Sequence, residues 1–271
     1  MLTSRVFALR SSLAALLLSF ALAAGEAQAQ SKPEFQPEVG QAGKDVVWVP
    51  SPEQLVDKML DMAKVTRNDF LMDLGSGDGR TVIAAAKRGV RAMGVEYNPD
   101  MVVLSRRNAE KAGVGKLATL VEGDIFQTDL SKATVITLFL LPDLNVKLRP
   151  TLLNMKPGTR VVSNTFRMGD WTPDETVELG CGSYCTAFMW IVPAKVAGTW
   201  KSAQGDIALK QEYQTFNGTL GAAPLAEARL NGDRISFSAN GTQYSGRVNG
   251  NSIEGTFKSS SGGGAWKATR G

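Results

Sequence analysis

One nine-residue stretch, Met72-Asp73-Leu74-Gly75-Ser76-Gly77-Asp78-Gly79-Arg80, has residue types and spacing suited to holding a ligand. It follows an apolar strand-like run and precedes a helical one. Glycines at such a junction let the backbone turn tightly and approach a bound molecule. The helix beyond presents free N–H groups and a positive dipole end. The spacing is Asp-x-Gly-x-Gly-x-Gly, which is neither the dinucleotide G-x-G-x-x-G nor the P-loop G-x-x-x-x-G-K-[ST]. Glu96 stands 23 positions after Asp73, at the end of the next strand-like run. A carboxylate there can accept two hydrogen bonds from a ribose diol. Gly123-Asp124-Ile125 follows a third run. Asp124 can accept from an adenine amine while Ile125 packs on the ring; an Asp capping a turn at Gly123 is an equally good reading. Tyr97 packs on the cofactor or on a helix.

The chain has no His and 2 Cys among its 271 residues. That excludes Ser-His-Asp and Cys-His nucleophile systems, His-ligated metals and a four-thiolate zinc site. No metal is expected. The formal net charge is +4, and its distribution is uneven. Residues 195–271 carry 9 basic and 5 acidic side chains, whereas residues 30–194 carry 19 basic and 20 acidic ones. The basic excess therefore lies away from the glycine motif. Its charges are dispersed and lack an aromatic-basic pattern, so no nucleic-acid partner is expected.

Positioning the motif requires strands and helices in alternation, and residues 46–194 supply them. Ser51, Pro52 and Gln54 read as a cap, a first helical residue and a capping box. Strands are expected at 70–74, 90–95, 117–121, 135–140 and 159–165. Helices are expected at 80–88, from Asn98-Pro99 to Gly113, and at 144–155 with an interruption at Pro150. Runs at 176–179 and 186–192 read as a closing antiparallel pair with both cysteines near its turn. The pattern implies an α/β fold with a largely parallel sheet.

The pattern changes after Pro193. All four Asn-Gly dipeptides of the chain, at 217, 231, 240 and 249, lie in this part, and Asn-Gly favours two-residue hairpin turns. Residues 195–271 are expected to form a small antiparallel meander or partly closed barrel. Ser259 to Gly264 reads as a mobile loop, with Trp266 returning to the core.

Residues 1–29 have the grammar of a signal peptide. Arg5 and Arg10 precede an apolar run, and Ala27-Gln28-Ala29 is a small-x-small cleavage site, so cutting is expected before Gln30. Residues 30–45 read as an extended arm. Export to the periplasm or outside the cell would favour a Cys181–Cys185 disulfide.

The Asp73–Gly79 loop, Glu96 and Asp124, in that order at strand ends, resemble the class I S-adenosylmethionine-dependent methyltransferases. Val49-Pro50-Ser51-Pro52, Glu96-Tyr97-Asn98-Pro99 and Asp170-Trp171-Thr172-Pro173 are similar to the small seven-strand protein-lysine methyltransferases that modify the ATP synthase c subunit and the adenine nucleotide translocase. The resemblance implies a Rossmann-like seven-stranded sheet over 46–194, followed by the β domain. It implies S-adenosyl-L-methionine as cofactor, held by Asp73, Gly75, Ser76, Gly77, Gly79, Glu96, Tyr97, Asp124 and Ile125. It also implies a protein lysine as acceptor, with membrane proximity possible for enzymes of this kind. The loop after the fourth strand, with Leu141 and Pro142, would face the substrate, and Asn164 and Trp171 are further candidates. That loop lacks the Asn/Asp-Pro-Pro-Tyr motif of base-methylating relatives. Two other readings stay open: a small-molecule methyltransferase, and an exported binding protein that keeps the fold without catalysis.

Overall fold

The computed structural model describes residues 35–271. The expected leader and its cleavage site lie outside the described residues. Residues 35–271 form one compact unit containing two sheets.

The first sheet is built from β1 (Phe70–Leu74), β2 (Arg91–Glu96), β3 (Ala118–Glu122), β4 (Val135–Leu138), β5 (Arg160–Asn164), β6 (Glu175–Glu178) and β7 (Thr186–Ile191). Their spatial order is β3-β2-β1-β4-β5-β7-β6. Strands β3, β2, β1, β4 and β5 pair in parallel, and β7 runs antiparallel to both β5 and β6. The methyltransferase-type sheet implied by the resemblance is therefore present. Helices α1 (Glu53–Met62), α2 (Arg80–Lys87), α3 (Pro99–Lys111) and α4 (Pro142–Leu153) cover its faces. Central strands such as β4 are buried on both faces, which is why they read as continuous apolar runs. The strand order reverses between β1 and β4. At such a switch point the carboxyl ends of neighbouring strands open a crevice, and the glycine loop leaves β1 there.

Local signals set most boundaries. Asn98 caps α3 by accepting from Asp100 N at 2.9 Å, and Pro99 takes the first helical position. The expected cap of α1 is different. Pro52 occupies the cap position, and the Ser51 hydroxyl instead accepts from Asn164 Nδ2 at 2.9 Å. Pro150 does not interrupt α4, which starts earlier than the apolar spacing suggests, at Pro142. Strand β4 stops at Leu138, which frees Phe139 and Leu140 from the ladder.

The second sheet contains β8 (Gly198–Ser202), β9 (Ile207–Glu212), β10 (Thr215–Leu220), β11 (Ala223–Pro224), β12 (Ala226–Asn231), β13 (Arg234–Ala239), β14 (Thr242–Asn249), β15 (Ser252–Ser259) and β16 (Gly262–Arg270). All pairings are antiparallel, in the order β11-β10-β9-β8-β16-β15-β14-β13-β12. Strands β10 and β12 approach each other across the seam, so the sheet nearly closes. Trp200, Phe237, Ile253 and Trp266 fill its interior.

Three of the four Asn-Gly dipeptides lie at hairpin turns, with Gly232, Gly241 and Gly250 at positive φ. Asn217-Gly218 does not. It sits inside β10, and the turn falls at Tyr213-Gln214. Gly218 is needed there for close approach: a Cβ would lie 1.9 Å from the Ala208 carbonyl oxygen. The glycine-rich segment expected as a mobile loop is the β15–β16 hairpin. Gly263 and Gly264 pair with Lys258 and Phe257, and a Cβ at Gly264 would crowd the Phe257 ring at 3.2 Å.

The two sheets meet around Trp171, which is fully buried. Its indole N–H donates to Gln214 Oε1 at 2.8 Å, and its carbonyl accepts from Trp190 Nε1 at 2.7 Å. Tyr213 stacks on it at 5.9 Å between ring centroids and donates from its hydroxyl to Asp170.

Candidate active site

The loop after β1 folds as it does because three glycines take backbone angles that side chains disfavour. Gly75, Gly77 and Gly79 have φ of 80°, 52° and 83°. Close packing adds a second requirement. A Cβ at Gly77 would stand 2.8 Å from Trp48 Nε1, and one at Gly79 would stand 2.9 Å from Ser105 Cβ. Gly94 on β2 contributes too, since a Cβ there would meet Ser76 Oγ at 2.5 Å.

Glu96, at the end of β2, clasps this loop. Its Oε2 accepts from the Gly77 N–H at 2.9 Å and its Oε1 from the Asn98 N–H at 3.0 Å. A carboxylate has about four lone-pair positions, so two remain for a diol. Asp73 lies beneath the loop, only 6% exposed, and accepts from the Thr137 hydroxyl at 2.6 Å. Burial pushes its carboxyl up to about 7, against the pull of the Thr137 and Thr81 hydroxyls, and the nearby Asp78 and Glu96 charges add to the rise. Asp78 is gripped by Arg80 through Nε at 3.0 Å and Nη2 at 2.6 Å, and Arg80 Nη1 donates to the Ser51 carbonyl at 2.8 Å.

Asp124 follows β3. Its Oδ1 accepts from the Phe126 N–H at 2.8 Å and its Oδ2 from Lys44 Nζ at 2.9 Å. The Phe126 N–H, and then Lys44, hold its carboxyl below the ordinary aspartate range. Lys44 Nζ also sits 4.3 Å from the Tyr97 ring centroid. Lys44 belongs to the arm expected to be extended. Instead, residues 40–48 fold back as a tight hairpin, with Gly40 N donating to the Trp48 carbonyl and Trp48 N to the Gln41 carbonyl. This hairpin forms one wall of a cavity of about 540 Å³.

Asp73, Gly75, Ser76, Gly77, Glu96, Tyr97, Asp124, Ile125 and Leu141 all line that cavity. Gly79 lies behind the wall as the cap of α2. Three candidates stand elsewhere. Pro142 is the first residue of α4. Asn164 is fully buried and bonded to Ser51 and Thr165. Trp171 is the hub of the contact between the sheets. Asn164 and Trp171 are buried and packed, whereas Pro142 is exposed at the start of α4.

The sequence reading missed Lys44, Trp48, Phe139, Phe166 and Tyr184, which also line the cavity. Tyr184 carried one usable signal, its place inside Cys181-x-x-x-Cys185, and those cysteines are bonded, with Cα atoms 5.6 Å apart. Among the described residues no cluster of His, Cys, Asp or Glu suits a metal ion.

The ANTKMT methyltransferase domain family matches residues 73–175. A protein-lysine N-methyltransferase of Saccharolobus islandicus (strain REY15A) is 42% identical over 151 residues, 54% of this chain and 94% of that protein. A Mus musculus lysine N-methyltransferase of the ATP synthase c subunit is 37% identical over 134 residues, 49% of this chain and 54% of that protein. The chain thus spans nearly all of the archaeal relative and about half of the mouse one. The crystal structure of an RNA methyltransferase from Salinibacter ruber with S-adenosyl-L-homocysteine is 49% identical, with a TM-score of 0.52, and the match covers 55% of this chain and 96% of that one.

The clasp makes a sharp test. In Glu96→Gln one carboxylate oxygen becomes an NH₂ that faces an N–H donor of Gly77 or Asn98. The expected loss is about 1–3 kcal/mol of stability, read as a lower melting temperature, together with weaker S-adenosyl-L-homocysteine binding. An unchanged melting temperature would show that the clasp holds nothing.

Proposed function

We infer the reaction from one premise: the chain belongs to the S-adenosylmethionine-dependent methyltransferase family that includes the protein-lysine N-methyltransferases. The proposed reaction is transfer of a methyl group to the amine of a protein lysine. The observation that carries it is the Glu96-clasped glycine loop beside a cavity at the sheet's switch point, in a chain 42% identical to a protein-lysine N-methyltransferase.

Bound S-adenosyl-L-methionine supplies a methyl group on a positively charged sulfur. The residues present fit it: a loop that side chains would block, free lone pairs on Glu96 for a ribose, and Asp124 with Ile125 placed for an adenine. Asp73 is proposed to face the ammonium of its amino-acid end. A lysine that has first given its ammonium proton to water would use the freed nitrogen lone pair to form the C–N bond as the C–S bond breaks, and that bond's electron pair would stay on sulfur. The surplus proton leaves nitrogen for water at the cavity mouth. Nothing need protonate the leaving sulfur, so a chain without His can rely on positioning. A second reading, an RNA acceptor, is favoured by the Salinibacter ruber protein alone.

Purified full-length chain, methyl-labelled S-adenosyl-L-methionine, a protein extract and total RNA separate these readings. Label should appear on protein lysines, located by mass spectrometry. Label confined to RNA or to small molecules would overturn the lysine reading, and cofactor binding without any product would favour a non-catalytic binder.

The raised carboxyl of Asp73 gives a pH dependence. Below about 7 it carries a proton in the free protein. A cation bound beside it favours the ionised form, so binding should release that proton. Affinity for S-adenosyl-L-methionine should therefore climb with pH to about 7 and level off above. Calorimetry in two buffers of different ionisation enthalpy reads the proton, and Asp73→Asn should flatten the profile. A wild-type affinity independent of pH would remove Asp73 from this role.

Export is proposed on residues 1–29, and the Cys181–Cys185 bridge supports it. N-terminal sequencing of the cellular protein should begin at Gln30, and a retained Met1 would sink the proposal.

A further inference from the structure

Three rings converge on one part of the cavity wall. Phe139 follows β4, Phe166 follows β5, and Tyr184 lies in the disulfide loop before β7. The Phe139 and Phe166 rings stack at 6.0 Å between centroids, and Tyr184 meets them at 5.4 Å and 6.2 Å. Tyr184 is 41% exposed, so the group opens to solvent on one side.

The backbone places two of these rings by unusual means. Thr165 has φ of 60°, a left-handed conformation that is costly for a β-branched residue, and its hydroxyl bonds Asn164 Oδ1 at 2.8 Å. Asn145 Nδ2, on α4, donates to the Phe166 carbonyl at 3.2 Å. Tyr184 itself has φ of 59°, and the Cys181–Cys185 bridge closes directly across it. Bulky residues are strained in this region unless their surroundings impose the conformation, and they concentrate at functional sites. Cys185 is anchored in the core at 4% exposure, so the bridge ties the Tyr184 loop to a rigid base.

Charge separates these rings from the other cavity tyrosine. Tyr97 already carries Lys44 Nζ. No cation–π pair among the described residues involves Phe139, Phe166 or Tyr184. The carboxylates that line the cavity lie on the arm, on the glycine loop and at the ends of β1, β2 and β3. The trio is therefore an uncharged, π-rich wall, exposed at Tyr184.

We propose that Phe139, Phe166 and Tyr184 form the recognition wall for the acceptor's alkylammonium, and that the Cys181–Cys185 bridge holds Tyr184 in that wall as the specificity-determining residue. The ligand class is a lysine-type side chain, including its methylated forms. A methylated ammonium keeps its charge but loses N–H donors, so ring faces hold it where a hydrogen-bonding site would lose contacts. Such a wall retains a partly methylated amine for another transfer. The inference rests on the lysine reading above, but its test needs no turnover.

Calorimetry on the full chain saturated with S-adenosyl-L-homocysteine would compare two probes, Nα-acetyl-trimethyllysine amide and its neutral carbon isostere. The wild type should prefer the cation by between about twofold and thirtyfold, the range that a cation–π contact supplies. Tyr184→Ala should abolish the preference, and Tyr184→Phe should restore it because the ring is kept. S-adenosyl-L-homocysteine affinity should stay unchanged in both variants. Reducing the bridge to two thiols with a phosphine, itself oxidised to its oxide, should reproduce the Tyr184→Ala result, as should Cys181→Ser with Cys185→Ser. Equal affinity for the probes, no binding of either, or a preference that survives Tyr184→Ala overturns the wall. A preference unaffected by reduction, or a fall in S-adenosyl-L-homocysteine affinity on reduction, overturns the bridge as a local positioning device. If label goes to RNA while the wild type still prefers the cation, the lysine reading fails and the wall stands.

Discussion

Glu96 joins two loops through one carboxylate. Gly77 belongs to the turn after β1 and Asn98 to the turn after β2, and both N–H groups point at the same side chain. These turns are held in register by the parallel pairing of β1 with β2. The glycine loop thus keeps its left-handed angles because its N–H has a strong acceptor, and α3 begins where it does because Asn98 is held at both ends. Removing that acceptor would leave two backbone donors partly buried without partners, which is costly. Trp48 can then pack over Gly77, and the arm hairpin can reach Asp124 and Tyr97 with Lys44. The cavity follows from this sequence of dependencies rather than from a single large void.

Much of this was legible in the sequence, and the reason is locality. The strands β1 to β5, the Asn98-Pro99 cap and the Asp-x-Gly-x-Gly-x-Gly loop are specified by residues within a few positions of one another. Glu96 and Asp124 can be picked out as cavity-lining residues because strand ends at a switch point face one crevice. Misreadings arose where distant residues decide. Ser51 looked like a helix cap, but Asn164, more than a hundred positions away, uses its hydroxyl. Asn217-Gly218 looked like a turn, but its glycine serves the close approach of β9 to β10. Phe139, Phe166, Tyr184 and Lys44 belong to four separate segments, and no spacing rule connects them. Trp171 was a plausible site residue by position, and only the second sheet reveals its packing role.

The two halves of the cavity differ in chemistry. Around the glycine loop, buried and paired carboxylates meet backbone N–H groups. Elsewhere the wall is made of the Phe139, Phe166 and Tyr184 rings and aliphatic side chains, with irregular backbone at Thr165 and Tyr184. A polar cofactor and the proposed amine-bearing acceptor would make different demands on that one lining.

The contact between the sheets has a further meaning. Asp170 and Trp171 bond directly to Tyr213 and Gln214 of the β9–β10 turn, and Gln214 Nε2 also donates to the Thr172 carbonyl at 2.7 Å. These residues belong to the segment between β5 and β6 of the first sheet. Any chain ending before β8 would expose the Trp171 indole face that Tyr213 covers and exchange its Gln214 partner for water. The second sheet thus covers Trp171 of the first through its β9–β10 turn. Stress applied to it would pass through Trp171 to Trp190 on β7, the strand that the disulfide loop enters.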